Sequence, residues 1–186
     1  MIGQLPKTLT VGGKNYDIRS DYRNIFRILE AFEDTELSFY EKARITVKRL
    51  YVEDILQSDF EEAYKKACWF IDGGKIYKSA KVENARLVDW EQDEIPLFAA
   101  INEAAKTEIR VLDYLHWWTF LSYYISIRSE SLFAQILNIR SKKAKGKKLE
   151  KWENEFYKSN KDMIVLQKKY SKEQQTEIDR LNKLLE

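Results

Sequence analysis

The chain has 186 residues, 44% of them hydrophobic and 13% aromatic, with 33% charged and a formal net charge of +2. That apolar mass excludes disorder along the whole length, because disordered chains lack the hydrophobic content to offset ordering entropy. The single cysteine, Cys68, excludes an internal disulfide and suits a reducing compartment, and two Pro and six Gly leave few elements interrupted, so the chain reads as a soluble, mainly helical protein of the cell interior.

The opening, Met1 to Lys7, has no basic segment leading into an apolar run and does not read as a secretory signal. Leu9 and Val11 alternate with polar neighbours, Gly12-Gly13 follows, and Tyr16 and Ile18 alternate again. This is the pattern of a β-hairpin, with Gly-Gly supplying the positive φ angles of a tight turn. A helix is expected from Ser20-Asp21, with Tyr22, Ile25, Phe26 and Leu29 on one stripe. Ser38 and Glu41 form a capping-box pattern before Ala43, Val47, Leu50 and Tyr51. Ser58 and Glu61 repeat it before Phe60, Tyr64, Ala67, Cys68 and Ile71, and Gly73-Gly74 stops that helix.

Residues 75–88 read as a long polar connection carrying two apolar pairs, Ile76-Tyr77 and Leu87-Val88. Another helix start is expected at Asp89 and Gln92, or at Pro96, continuing through Phe98, Ile101, Ala104 and Ala105. From Tyr114 to Ile127 the chain contains no Asp, Glu, Lys or Arg. Its 14 residues are too few to cross a bilayer, which needs about 20. Capped by Asp113, this helix is expected at the centre of the helical body. Leu132, Phe133, Ile136, Leu137 and Ile139 make one more helix.

After Arg140 the character changes. Ser141 to Lys148 is a basic connector containing a Gly, and Leu149, Trp152, Phe156, Met163 and Leu166 form a thinner stripe. Ser171 and Gln174 offer a helix restart before Ile178, Leu181 and Leu185. From Ser141 to Glu186 there are 13 Lys and Arg against 8 Asp and Glu, so this stretch is basic and the rest mildly acidic. The expected organisation is a hairpin plus five- to six-helix bundle over residues 1–140 and a basic, amphipathic helical tail over 141–186. The last stretch has too few apolar positions for its own core, so it is expected to dock on something, pair with a copy of itself, or fray.

Catalytic and metal chemistry find little support. His116 stands alone among aromatics and reads as a hydrogen-bonded core or rim histidine. Cys68 lies on an apolar helix face, and one Cys with one His is too few for a structural zinc site. No phosphate-cradling loop, EF-hand or dinucleotide fingerprint is present. The chain is therefore expected to be neither an enzyme nor a cofactor carrier. Two features remain. Trp117-Trp118 first reads as core, yet neighbours on a helix diverge by about 100°, leaving one tryptophan for a partner groove. The run Lys142, Lys143, Lys145, Lys147 and Lys148 reads as a solvated connector, or as a contact for an acidic surface or nucleic acid.

Three stretches carry a family resemblance. They are Leu5 to Val11 with Tyr16 to Tyr22, then Tyr114 to Phe120, then Ile139 to Glu153 with Phe156-Tyr157. Together, over residues 5 to 160, they resemble a bacteriophage structural-operon family of Gram-positive siphophages and prophages, typified by a Listeria phage protein. The resemblance implies a tail-assembly chaperone in the cytoplasm of the bacterial host. Its partners would be the tape-measure protein, a long helix, and the major tail-tube protein. It implies no catalytic residue. On that footing the exposed members of Tyr114, Trp117, Trp118 and Tyr124 are expected to form a groove for an apolar helical stripe, and the lysine run steers the approach. The alternatives are a nucleic-acid-binding phage protein and a structural component retained in the virion.

Overall fold

The computed structural model describes residues 3–75, 85–167 and 169–185. Strands β1 (Thr8–Val11) and β2 (Lys14–Asp17) are followed by α1 (Tyr22–Glu33), α2 (Phe39–Leu50), α3 (Phe60–Ile71) and α4 (Glu94–Ala105). Then come α5 (Trp117–Ile125), α6 (Leu132–Ala144), α7 (Lys151–Ser159), the single turn α8 (Lys161–Ile164) and α9 (Lys172–Leu185). The fold is mainly α with an N-terminal hairpin, as expected. Two compact units are present. One takes the described residues within Met1–Pro6, Ser20–Tyr22 and Trp69–Leu166; the other takes those within Lys7–Arg19, Arg23–Cys68 and Gln167–Glu186. They are called the aromatic unit and the hairpin unit below.

In the hairpin unit, Gly12 (φ +54°) and Gly13 (φ +78°) make the two-residue turn and pair Val11 with Lys14. A side chain at Gly12 would meet the Asp59 carboxylate at 2.6 Å, so the turn is closed to larger residues there. Leu9, Val11 and Tyr16 are buried. Tyr16 meets Tyr51 edge-on at 6.0 Å, and the Tyr51 hydroxyl donates to the Ala63 carbonyl at 3.0 Å. The Ser38 capping box forms: Glu41 N–H donates to Ser38 Oγ, and the Ser38 N–H donates to the Glu41 carboxylate at 2.8 Å. Ala43, Thr46, Val47 and Leu50 then face the core. At the far end of α2 the Arg19 guanidinium donates to the carbonyls of Lys48, Arg49, Tyr51 and Val52. Two of these carbonyls, those of Lys48 and Arg49, are left open by the end of the helix; the other two belong to the chain that leaves it.

The capping expected of Ser58 does not occur. A 3-10 turn over Gln57–Asp59 precedes α3 and places Ser58 inside the turn, where its hydroxyl donates to Asp59 at 3.1 Å; Glu61 pairs with Lys65 instead. The Ser171–Gln174 box does form, with reciprocal bonds of 3.2 and 3.0 Å at the start of α9.

In the aromatic unit, Gly73 and Gly74 end α3 at φ +71° and +78°, and the Gly74 N–H returns to the Trp69 carbonyl at 2.9 Å. Residues 76–84 of the expected polar connection lie outside the described residues. Asp89 shapes one turn by accepting from the N–H groups of Glu91 and Gln92, and α4 begins at Glu94 with Pro96 in its first turn. The boundary expected after Arg140 falls inside α6, which continues to Ala144 before Gly146 turns the chain at φ +64°. Ile136, Ile139 and Ile164 form a buried cluster covered by Leu149, Phe156, Tyr157 and Met163. Trp152 departs from the expected stripe and is exposed.

Arg140 ties this unit together. Its guanidinium grips Asp93 through two bonds of 2.6 and 2.8 Å, and its remaining donors reach the carbonyls of Leu87, Met163 and Ile164. Both charged groups are almost wholly buried, and every guanidinium N–H is used.

Candidate functional site

Helix α5 begins three residues later than its charge-free stretch. His116, not Asp113, is its N-cap, because the neutral imidazole Nδ1 accepts the Trp118 N–H at 3.0 Å. Its Nε2 sits 2.9 Å from the Pro6 carbonyl, and the ring is buried, so His116 is a structural cap.

The two tryptophans share one task. Trp117 donates its indole N–H to the Ile71 carbonyl at 2.8 Å, and Trp118 donates to the Phe70 carbonyl at 2.9 Å. They cap the last turn of α3 with side chains from another helix, which is why neighbouring positions both carry Trp. Trp117 is 2% exposed and stacks on Phe120 at 5.4 Å. Trp118 stacks on Phe70 at 5.9 Å and meets Trp69 edge-on at 5.5 Å. A side chain at Gly74 would meet the Trp118 ring at 2.8 Å.

The groove expected along this helix is therefore not assembled. Trp117 is core, Trp118 is half-buried and bonded, and Tyr124 is half-buried edge-on to Phe133 at 6.0 Å. Burial raises the Tyr124 hydroxyl above the ordinary tyrosine range. Tyr114 is exposed but precedes α5, with its hydroxyl 2.7 Å from Ser20 Oγ. Nor is α5 buried all round: Ser122, Ile125 and Ser126 face solvent.

The lysine run divides in the same way. Lys142 belongs to α6 and pairs at 2.6 Å with Glu153, a buried carboxylate that also accepts from Asn138 at 2.9 Å. The bonds from Lys142 and then from the Glu150 N–H hold Glu153 below the usual carboxylate range. Lys143 lies over the Tyr157 ring at 4.1 Å. Lys145, Lys147 and Lys148 are exposed around Gly146 and remain a basic patch.

An open groove of about 630 Å³ lies elsewhere, in the hairpin unit. One wall is Leu37 with the outer ridge of α2, Tyr40, Glu41, Arg44 and Lys48; the other is the chain after α2, with Glu53, Asp54 and Ile55, and Phe60 at the start of α3. The capping box sets where α2 starts, and its core stripe turns this ridge outward. The Arg19 bonds and a 2.6 Å pair between Lys14 and Glu53 fix the second wall. Tyr40 and Phe60 lie 6.1 Å apart across the groove, and Arg44 stands over the Tyr40 ring at 5.9 Å. Tyr40 is 53% exposed in the groove, which is rimmed by both signs of charge; Phe39, Val52 and Leu56 are exposed close by in the chain but do not line it, and Phe39 meets Tyr64 edge-on at 5.8 Å. Two bonds from Ser38 hold Glu41 ionised to lower pH than usual.

This arrangement can bind an apolar stripe; it places no nucleophile beside a base. Among the described residues no group of His, Cys, Asp and Glu is arranged to hold a metal ion, and no helix is long and apolar enough to cross a membrane. The sequence reading missed this groove. The available signal was Tyr40, an aromatic off the buried stripe two residues after the capping serine.

The fold defines a mainly helical chain opened by a small antiparallel hairpin. A family model described as Bacteriophage Gp15 protein matches residues 1–171, and the chain belongs to that bacteriophage protein family. No curated protein and no solved structure matches it.

Proposed function

We propose that this phage protein is a tail-assembly chaperone that acts without catalysis in the host cytoplasm. Its clients are the tape-measure protein and the tail-tube protein, and the α2 groove is the seat for an amphipathic helix of the tape measure. The exposed Tyr40, facing Phe60 across the groove, carries this reading. A long helical client presents an apolar stripe that aggregates unless covered, and a groove with an apolar floor and charged rim suits such a stripe. The sequence resemblance to siphophage structural-operon proteins points the same way. Lys145, Lys147 and Lys148 steer the approach of an acidic client surface, a contribution to association rate more than to affinity.

The test is co-expression with the tape-measure protein of the same phage, scored by soluble client. Tyr40→Asp should abolish the soluble complex while leaving the fold intact. Trp118→Ala should lower stability yet keep the complex at permissive temperature. A client that aggregates equally with and without the wild-type chain overturns the proposal. One observation favours a second reading, nucleic-acid binding: Trp152 is exposed and lies within five residues of Lys147, Lys148 and Lys151 in the sequence, which suits base stacking next to phosphate contacts. A shift of single-stranded DNA that weakens steeply with salt would support it.

A further inference from the structure

We infer that the α2 groove also receives helix α9 of a second copy of this chain, in one antiparallel register. Helix α9 is 14 residues long, about 21 Å, close to the span of the α2 ridge. Such a helix is marginal by itself in water, and its Leu181 is 51% exposed, so it gains by lying on an apolar surface.

The charges decide which copy provides it. Within one chain the start of α9 is pinned beside the start of α2: Lys169 pairs with Glu33 at 2.9 Å, and the Lys172 N–H donates to Glu36 at 2.5 Å. From that pin α9 can meet its own α2 only in parallel. Both helices rise about 1.5 Å per residue, so Glu177 would fall beside Glu41 and Arg180 beside Arg44, like against like. A second copy is free of the pin and enters the other way round. A single antiparallel register then sets Glu173 at Lys48, Glu177 at Arg44 and Arg180 at Glu41, and places Leu181 at Tyr40. Three opposite-charge pairs and the apolar contact coincide without adjustment. The pairs fix direction and register, since exposed ion pairs contribute little energy, and the burial of Leu181 against Tyr40 and its neighbours supplies affinity.

The test uses the full chain alone and does not depend on the client reading, which stands or falls separately. Light scattering on the wild-type protein at tens of micromolar should give a mass above one chain. Tyr40→Glu and Leu181→Glu should each give single-chain mass, with unchanged circular dichroism. An equimolar mixture of the two should recover a two-chain species, because one variant keeps its α9 and the other its groove. Arg44→Glu should weaken association about tenfold, and Glu177→Arg added to it should restore it. A wild-type monomer overturns the inference. So does a Tyr40→Glu protein that associates normally while Leu181→Glu does not, which means α9 pairs with something other than the groove. A mixture that stays at single-chain mass overturns it as well.

Discussion

The aromatics of α5 and those flanking α2 are the same kinds of residue put to opposite uses. On α5 they lie in a dense, charge-free run, and the tryptophans turn inward to cap the end of α3 with their indole N–H groups. At α2 Tyr40 stands among charges, off the buried stripe, and faces Phe60 across an open groove. Apolar density in a sequence therefore marks where a core is built. Apolar residues that the core stripe leaves over mark where a surface is built.

Substitutions can break that contrast, and Trp117→Ala should do the most damage. It removes a buried ring and leaves the Ile71 carbonyl without its donor, so a loss of about 3–5 kcal/mol is expected in urea unfolding. Gly74→Ala should cost about 1–3 kcal/mol, because its φ of +78° and the 2.8 Å approach to Trp118 both oppose a side chain. Tyr40→Ala should change stability by less than about 0.5 kcal/mol while removing groove binding, and a large stability loss there would make Tyr40 core after all.

The smallest effect is a pH dependence in the aromatic unit, at Glu108. Side-chain and then backbone bonds from Arg110 depress its carboxyl to about 2. A depressed acid stabilises the fold above its unfolded pKa. That contribution should therefore be present above about 4.5 and fade as pH falls toward 2, and the Glu108→Gln protein should lack it. Acid titration of the melting temperature for the two proteins checks this.

What was legible in the sequence was local. The Gly12-Gly13 turn, the Ser38 and Ser171 capping boxes and the Gly73-Gly74 stop each depend on residues a few positions apart, and each forms. The failures came where distant segments compete. His116 displaced Asp113 as the cap of α5, with its ring held against Pro6, more than a hundred residues away in sequence. Trp117 and Trp118 read as core with one ring left over for a groove, because nothing nearby announces the carbonyls of Phe70 and Ile71 that both indoles cap. The Asp93–Arg140 pair spans 47 residues, and no periodicity marks either member. The groove was missed for a related reason: one wall is a helix ridge, but the other is irregular chain positioned by Arg19.

The Arg140 clamp bears on how the aromatic unit opens. A four-residue helix such as Lys161–Ile164 does not persist alone, and neither does the irregular chain just before α4. Both are held through their carbonyls by one guanidinium rooted in α6. Neither segment can let go without leaving Arg140 donors unpaired in the interior. Their protection against amide hydrogen exchange should therefore rise and fall together with that of α6, as one cooperative opening rather than three.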